Sequence, residues 1–155
     1  MDGTWYKDIG IAGWAYVHVS AGELVNFEFG SLKQENMKIS NVDAELVATM
    51  KALEYAKRMG FRKVEIRYDY EGIRSFAKGL WKPKCWITCK YVEAVKDSGI
   101  QIVFTKVNKR DKMNLAVNAL ARGDVISMFF YASQSLIKIN HDKSNTDLTH
   151  SSSHV

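Results

Sequence analysis

Three carboxylates fall at points where secondary structure could gather them: Asp2 in "MDGTW", Glu45 in "NVDAELVATM" and Asp69 in "EIRYDYEGI". Carboxylates sharing one place repel one another and raise one another's pKa, so such a group calls for a hard divalent cation. Each also has an ordinary explanation. Asp-Gly is common turn chemistry, an early helical Glu suits the positive end of the helix dipole, and an Asp just before a helix can cap it. Further along, "KVNKRDKMNLAVNALAR" begins as a basic run and continues as a helix with Asn114 and Asn118 on one face. Buried amides need partners, so two on one face imply something for them to meet.

The elements that must position these residues are legible in the periodicity. In "GWAYVHVSAGELVNFEFGS", Trp14, Tyr16 and His18 alternate with Ala15, Val17 and Val19. "SAGE" then turns the chain into a second alternating strand with Val25, Phe27 and Phe29, which makes a hairpin. Residues 1–6 resemble a strand preceding it. From Asn41 the period becomes helical, with Val42, Leu46, Met50 and Leu53 in step, capped by Ser40 or Asn41 and stopped at Gly60. "KVEIRY" is a short strand, a helix starts near Tyr70, and Gly79 and Pro83 break the chain. "ITCKYVEAVKDSG" is a helix, "IQIVFTKV" a strand and "DKMNLAVNALAR" a helix. The order β-β-β-α-β-α-α-β-α predicts an α/β fold, a five-stranded mixed sheet flanked by helices with parallel strands across each helical connection. Residues 1–124 form this domain. Residues 125–139, "VISMFFYASQSLIKI", are an apolar extension able to pack as an extra helix or serve an interface. Residues 140–155 are polar, rich in Ser, Thr and Asn, and are expected to be disordered.

Bulk properties narrow the class without deciding it. A chain of 155 residues with 46% hydrophobic and 25% charged residues suits one domain with its own core. The net charge of +5 permits nucleic-acid contact but also fits an ordinary surface. Cys85 and Cys89 share a helix face with no nearby histidine, which reads as two half-buried thiols in a reduced compartment rather than a zinc site. No run reaches the roughly 18 apolar residues of a membrane span, and the N-terminus has no signal-peptide core, so no membrane association and a cytoplasmic location are expected.

Taken in order, "MDGTWYKDIGIAGWAYV", "NVDAELVATMKALEYA", "EIRYDYEGI" and "FTKVNKRDKMNLAVNALAR" resemble the type 1 ribonuclease H family. That family shows a DG[ST] strand, a glycine-and-aromatic second strand, an N-x-x-x-E helix start, a strand ending in Asp, and a basic strand leading to "HxGxxxNExADxLA". The compact "DYEGIRSFAKGLWK" connection looks most like bacterial members. The resemblance covers Asp2 to Arg122 and implies a ribonuclease H-like fold and an endonuclease that hydrolyses the RNA strand of RNA/DNA hybrids. It implies two Mg²⁺ (or Mn²⁺) ions and no small-molecule cofactor. Two ions about 3.5–4 Å apart would generate the nucleophile and hold the leaving oxygen. By the same resemblance Asp2 would bridge the ions, with Glu45 and Asp69 on the leaving-group side. Asn41 would enter the minor groove of the hybrid, and Gly3 and Thr4 would lie along the RNA strand, where 2′-hydroxyls can be sensed. Trp81, with Lys78, Lys82 and Lys84, would face the DNA backbone.

The pattern also departs from the family. Asn118 stands where the family has its fourth catalytic aspartate, Asn108 where it often has a mobile histidine, and Arg110 where it has a glycine. Only Met1 precedes Asp2, where the family has several apolar residues, so either native residues are missing from this chain or the central strand is expected to be truncated. Two functions follow: a metal-dependent nuclease with weakened activity, with Asn118 as an uncharged ligand, or an inactive module of the same fold that binds hybrid or double-stranded RNA. The three retained carboxylates favour the enzyme.

Overall fold

The structure, a computed structural model, describes residues 11–33, 40–139 and 146–152. The hairpin forms as the alternation predicts. Strand β1 (Ile11–Ser20) pairs antiparallel with β2 (Glu23–Lys33) through a two-residue turn at Ala21 and Gly22, whose φ values are +57° and +70°. Two successive positive φ values give the tight turn whose twist matches that of paired strands. The register slips between His18 and Val19, which face Asn26 and Leu24, so Val25 bulges outward and is exposed.

Helix α1 (Asn41–Arg58) starts at a reciprocal cap: Ser40 Oγ accepts from the Asp43 amide, and Asp43 accepts from the Ser40 amide. Strand β3 (Lys63–Tyr68) and strand β4 (Gln101–Lys106) are parallel. Between them run α2 (Gly72–Ala77) and α3 (Trp86–Ser98), which closes on Gly99 in the left-handed conformation. Helix α4 (Lys112–Ala121) follows β4, and α5 (Val125–Ile139) packs against it through Met128 and Ala132.

The sheet has two covered faces. Tyr16, Val64, Ile66 and Tyr68 pack with Leu46, Leu53, Ile73, Ile87 and Tyr91 under α1, α2 and α3. Ala15, Val17 and Val19 pack with Met113, Val117, Leu120 and Met128 under α4 and α5. β1 is thus apolar on both faces, as an interior strand must be.

The fifth strand differs from the sequence expectation. Strand β5 (Thr146–Ser152) lies between β1 and β3 in the order β2-β1-β5-β3-β4, antiparallel to β1 and parallel to β3. The segment 140–155, read as a disordered polar tail, therefore supplies the middle strand over 146–152. Backbone hydrogen bonding explains this. β1 and β3 each present an open ladder beneath helices, and any extended segment that pairs with both satisfies those groups whatever its side chains. The expected strand at residues 1–6 lies outside the described residues.

Candidate functional site

The parallel register of β3 and β4 brings two chain segments to one end of the sheet. Asp69 follows β3 directly, and Val107, just beyond β4, donates its amide to the Tyr68 carbonyl at 2.8 Å. The start of α1 lies at the same end. Together they enclose a cleft of about 210 Å³ lined by Asn41, Val42, Glu45, Asp69, Tyr70, Glu71 and Lys109. Such clefts beyond the carboxyl ends of parallel strands are where open α/β sheets bind ligands.

Helix capping accounts for neither carboxylate. The capping box at α1 is Ser40 with Asp43, so the helix start does not need Glu45, which is 1% exposed in the second turn. α2 begins at Gly72 with Glu71 as its N-cap residue and without a side-chain cap, so Asp69 is not its cap either. Asp69 is 6% exposed and accepts from Asn114 Nδ2 at 3.2 Å. The same amide donates to the Lys109 carbonyl at 3.4 Å, and Asn114 is fully buried. An amide can give two hydrogen bonds where a carboxylate can give none, which accounts for Asn114: it ties Asp69 to the turn before α4. Asp111 caps α4 through the Asn114 backbone amide at 3.0 Å. Asn118, one turn on and 8% exposed, shares this helix face but is not part of the cleft wall.

A second groove, about 590 Å³, adjoins the first. Its walls include Phe76, Trp81, Lys82, Lys84, Cys85 and Thr88, and it shares Val42 and Tyr70 with the carboxylate cleft. Tyr70 forms the partition. Its ring lies over Gly72, where a Cβ would come within 2.3 Å of it, and its edge meets Trp81 at a centroid distance of 6.3 Å. Burial raises the Tyr70 hydroxyl pKa, and the charges of Glu45 and Asp43 raise it further. Trp81 is 42% exposed and also contacts Phe76 edge-on at 5.4 Å, so it is a groove wall rather than a core residue. Cys85 and Cys89, expected to be half-buried, are both exposed, Cys85 as the N-cap residue of α3 on the groove wall and Cys89 one turn further along the helix.

The structure thus brings Asn41, Glu45 and Asp69 together and places Trp81 in the adjoining groove. Asp2, Gly3 and Thr4 lie outside the described residues. Among the described residues, no three His, Cys, Asp or Glu side chains form a metal cage. The sequence reading missed Tyr70, Glu71 and Lys109. The first two directly follow Asp69 in "YDYEG". Lys109 could have been found from the parallel strand order, which carries the turn after β4 to the end of β3. Glu71 accepts from Ser75 Oγ at 2.9 Å and pairs with Arg74 at 3.8 Å, which turns it along α2.

Two solved structures share this fold. The N-terminal RNase H domain of Rv2228c from Mycobacterium tuberculosis, solved as a fusion with maltose binding protein, superposes with a TM-score of 0.65 at 19% identity, covering 86% of this chain and 93% of that one. The chain has the ribonuclease H-like fold. RNase H1 from the halophilic archaeon Halobacterium salinarum superposes at 0.51 with 18% identity, covering 83% of this chain and 95% of that one. No family model matches the sequence, and no curated protein does. Within the ribonuclease H-like fold, the cleft at the ends of β3 and β4 is the place where Glu45 and Asp69 meet.

Proposed function

We propose that the protein is a metal-dependent endonuclease acting on the RNA strand of RNA/DNA hybrids, in the cytoplasm and with weakened activity. The observation that carries this reading is that Glu45 and Asp69, both buried and neither serving as a helix cap, open on one cleft at the end of a ribonuclease H-like sheet. Buried carboxylates are retained where they are paired or bind metal. Mg²⁺ commonly uses only one or two protein carboxylates and keeps several waters, so this donor set fits an ion even without a closed cage. Mg²⁺ or Mn²⁺, two ions in the full scheme, would supply an activated water and stabilise the leaving oxygen. Glu45 and Asp69 would hold metal together with Asp2, and Asn118 would serve as an uncharged ligand. Asn114 holds the Asp69 carboxylate in place by donating a hydrogen bond to it. Asn41, Gly3 and Thr4 would meet the hybrid on the cleft side, and Trp81, Lys82 and Lys84 would meet its second backbone across the Tyr70 partition.

The alternative is a module that binds hybrid or double-stranded RNA without cutting it. The amide at Asn118 favours it, since one negative ligand is lost. A labelled hybrid incubated with Mg²⁺ or Mn²⁺ separates the two. Cleavage that is lost in Asp69→Asn, with the melting temperature kept or raised, supports the nuclease, because the variant's amide oxygen can still accept from Asn114. Binding without cleavage under both metals supports the module. A cutting Asp69→Asn variant, less stable by about 1 kcal/mol, would reduce Asp69 to a structural residue.

A further inference from the structure

Lys109 brings a positive charge to the wall of the cleft that Glu45 and Asp69 make negative. Its backbone is fixed. The Asp111 amide donates to the Asn108 carbonyl at 2.9 Å, the Arg110 amide to Asn108 Oδ1 at 2.8 Å, and Asn114 Nδ2 to the Lys109 carbonyl at 3.4 Å. Because Asn114 also holds Asp69, the base of the lysine and the carboxylate are registered to one side chain. The residue itself is exposed, so four flexible methylenes carry its ammonium from a rigid anchor. The charges near the cleft are unequal. Among the described residues the cleft wall carries the carboxylates of Glu45, Asp69 and Glu71 and the ammonium of Lys109, with Glu71 also bonded to Ser75 and Arg74 along α2.

We propose that Lys109 is a tethered cation that competes with the divalent ion for the Glu45–Asp69 cleft. This rests on reading that cleft as a metal site. With the ammonium across the carboxylates the cleft is partly neutralised, and an incoming ion must push it aside. Metal occupancy then needs a higher ion concentration than the two carboxylates alone would require, and the displaced ammonium is free to meet a phosphate as a point charge. Lys109 is a modulator of metal affinity, acting through charge rather than through coordination.

The test is Mn²⁺ binding to the intact protein, followed by calorimetry and by the metal-induced rise in melting temperature, neither of which needs turnover. Lys109→Met should tighten Mn²⁺ binding by about fivefold, the scale of one solvent-exposed charge pair. Lys109→Arg, which keeps the charge, and Arg110→Met, which removes a charge outside the cleft wall, should leave it within about twofold. Glu45→Gln serves as the site control and should weaken binding sharply. If Glu45→Gln weakens binding but Lys109→Met does not tighten it, the competition is overturned and the metal site stands. If Arg110→Met tightens binding as much as Lys109→Met, general surface charge is responsible and the competition is again overturned. Binding indifferent to Glu45 overturns the metal site and the competition together.

Discussion

An amide where a fourth carboxylate would complete a metal site changes charge more than shape. Asn118 is 8% exposed on the face of α4 that also carries Asn114, yet the two asparagines differ in role. Asn114 is occupied by Asp69 and Lys109, which only a donor could satisfy at once. Asn118 stands where the resemblance implies a charged ligand, so restoring that charge is informative. With Asn118→Asp, the metal concentration for half-maximal hybrid cleavage should fall by about tenfold, equivalent to about 1.4 kcal/mol of added attraction. Mn²⁺ should rescue the parent better than Mg²⁺, being bound more tightly by a given set of ligands. If the change instead lowers the melting temperature by several degrees with no shift in metal dependence, it has buried an unpaired charge, and Asn118 is a packing residue. Glu45, Asp69 and Asn41 were legible in the sequence because their types and order are distinctive. Lys109 and Tyr70 were not, because their place in the site comes from strand register and from a ring folded over Gly72.

At the scale of elements, the hairpin turn joining β1 and β2 carries a local conflict. Ala21 sits at φ +57°, a conformation that its Cβ disfavours, while Gly22 beside it adopts +70° at no steric cost. Ala21→Asn would place the pair best suited to two positive φ values at this position. Stability should rise by about 1 kcal/mol, seen as an increase of about 2–4 °C in melting temperature. An unchanged or lower value would mean that the turn in solution is not of this type. The helices and four of the strands were legible because each buries a face whose period sequence can show: α1 through Leu46 and Leu53, β3 through Val64, Ile66 and Tyr68. The exact start of α1 was open between Ser40 and Asn41, and the reciprocal bonds with Asp43 decide for Ser40. β5 was not legible, since its pairing uses backbone groups that every residue has and its side chains show no apolar period.

For the molecule as a whole, one buried histidine links stability to pH. His18 is 2% exposed, with Nδ1 2.7 Å from the Tyr55 hydroxyl and with the rings of Tyr55 and Phe61 edge-on to its own. Burial lowers its pKa from the ordinary 6.5. The unfolded chain therefore takes up a proton at this residue before the folded one does. The folded state keeps its full margin above about pH 6.5 and loses part of it as the pH falls from there towards the lowered value. Urea unfolding at pH 7.5 and pH 5 should show a larger loss for the parent than for His18→Phe; equal losses would show that His18 charges freely in the folded protein. The placement of β5 bears on something else, the order in which the protein is made. β1 and β3 have no direct pairing, and the strand that joins them is translated after every other described element. Among the described elements, the β1–β2 hairpin and the β3–β4 pair are complete before residues 146–152 leave the ribosome, and the strand that pairs with both arrives last. Joining the two pairs through β5 is then a late event that links distant parts of the chain, slow in the way that non-local pairing is slow.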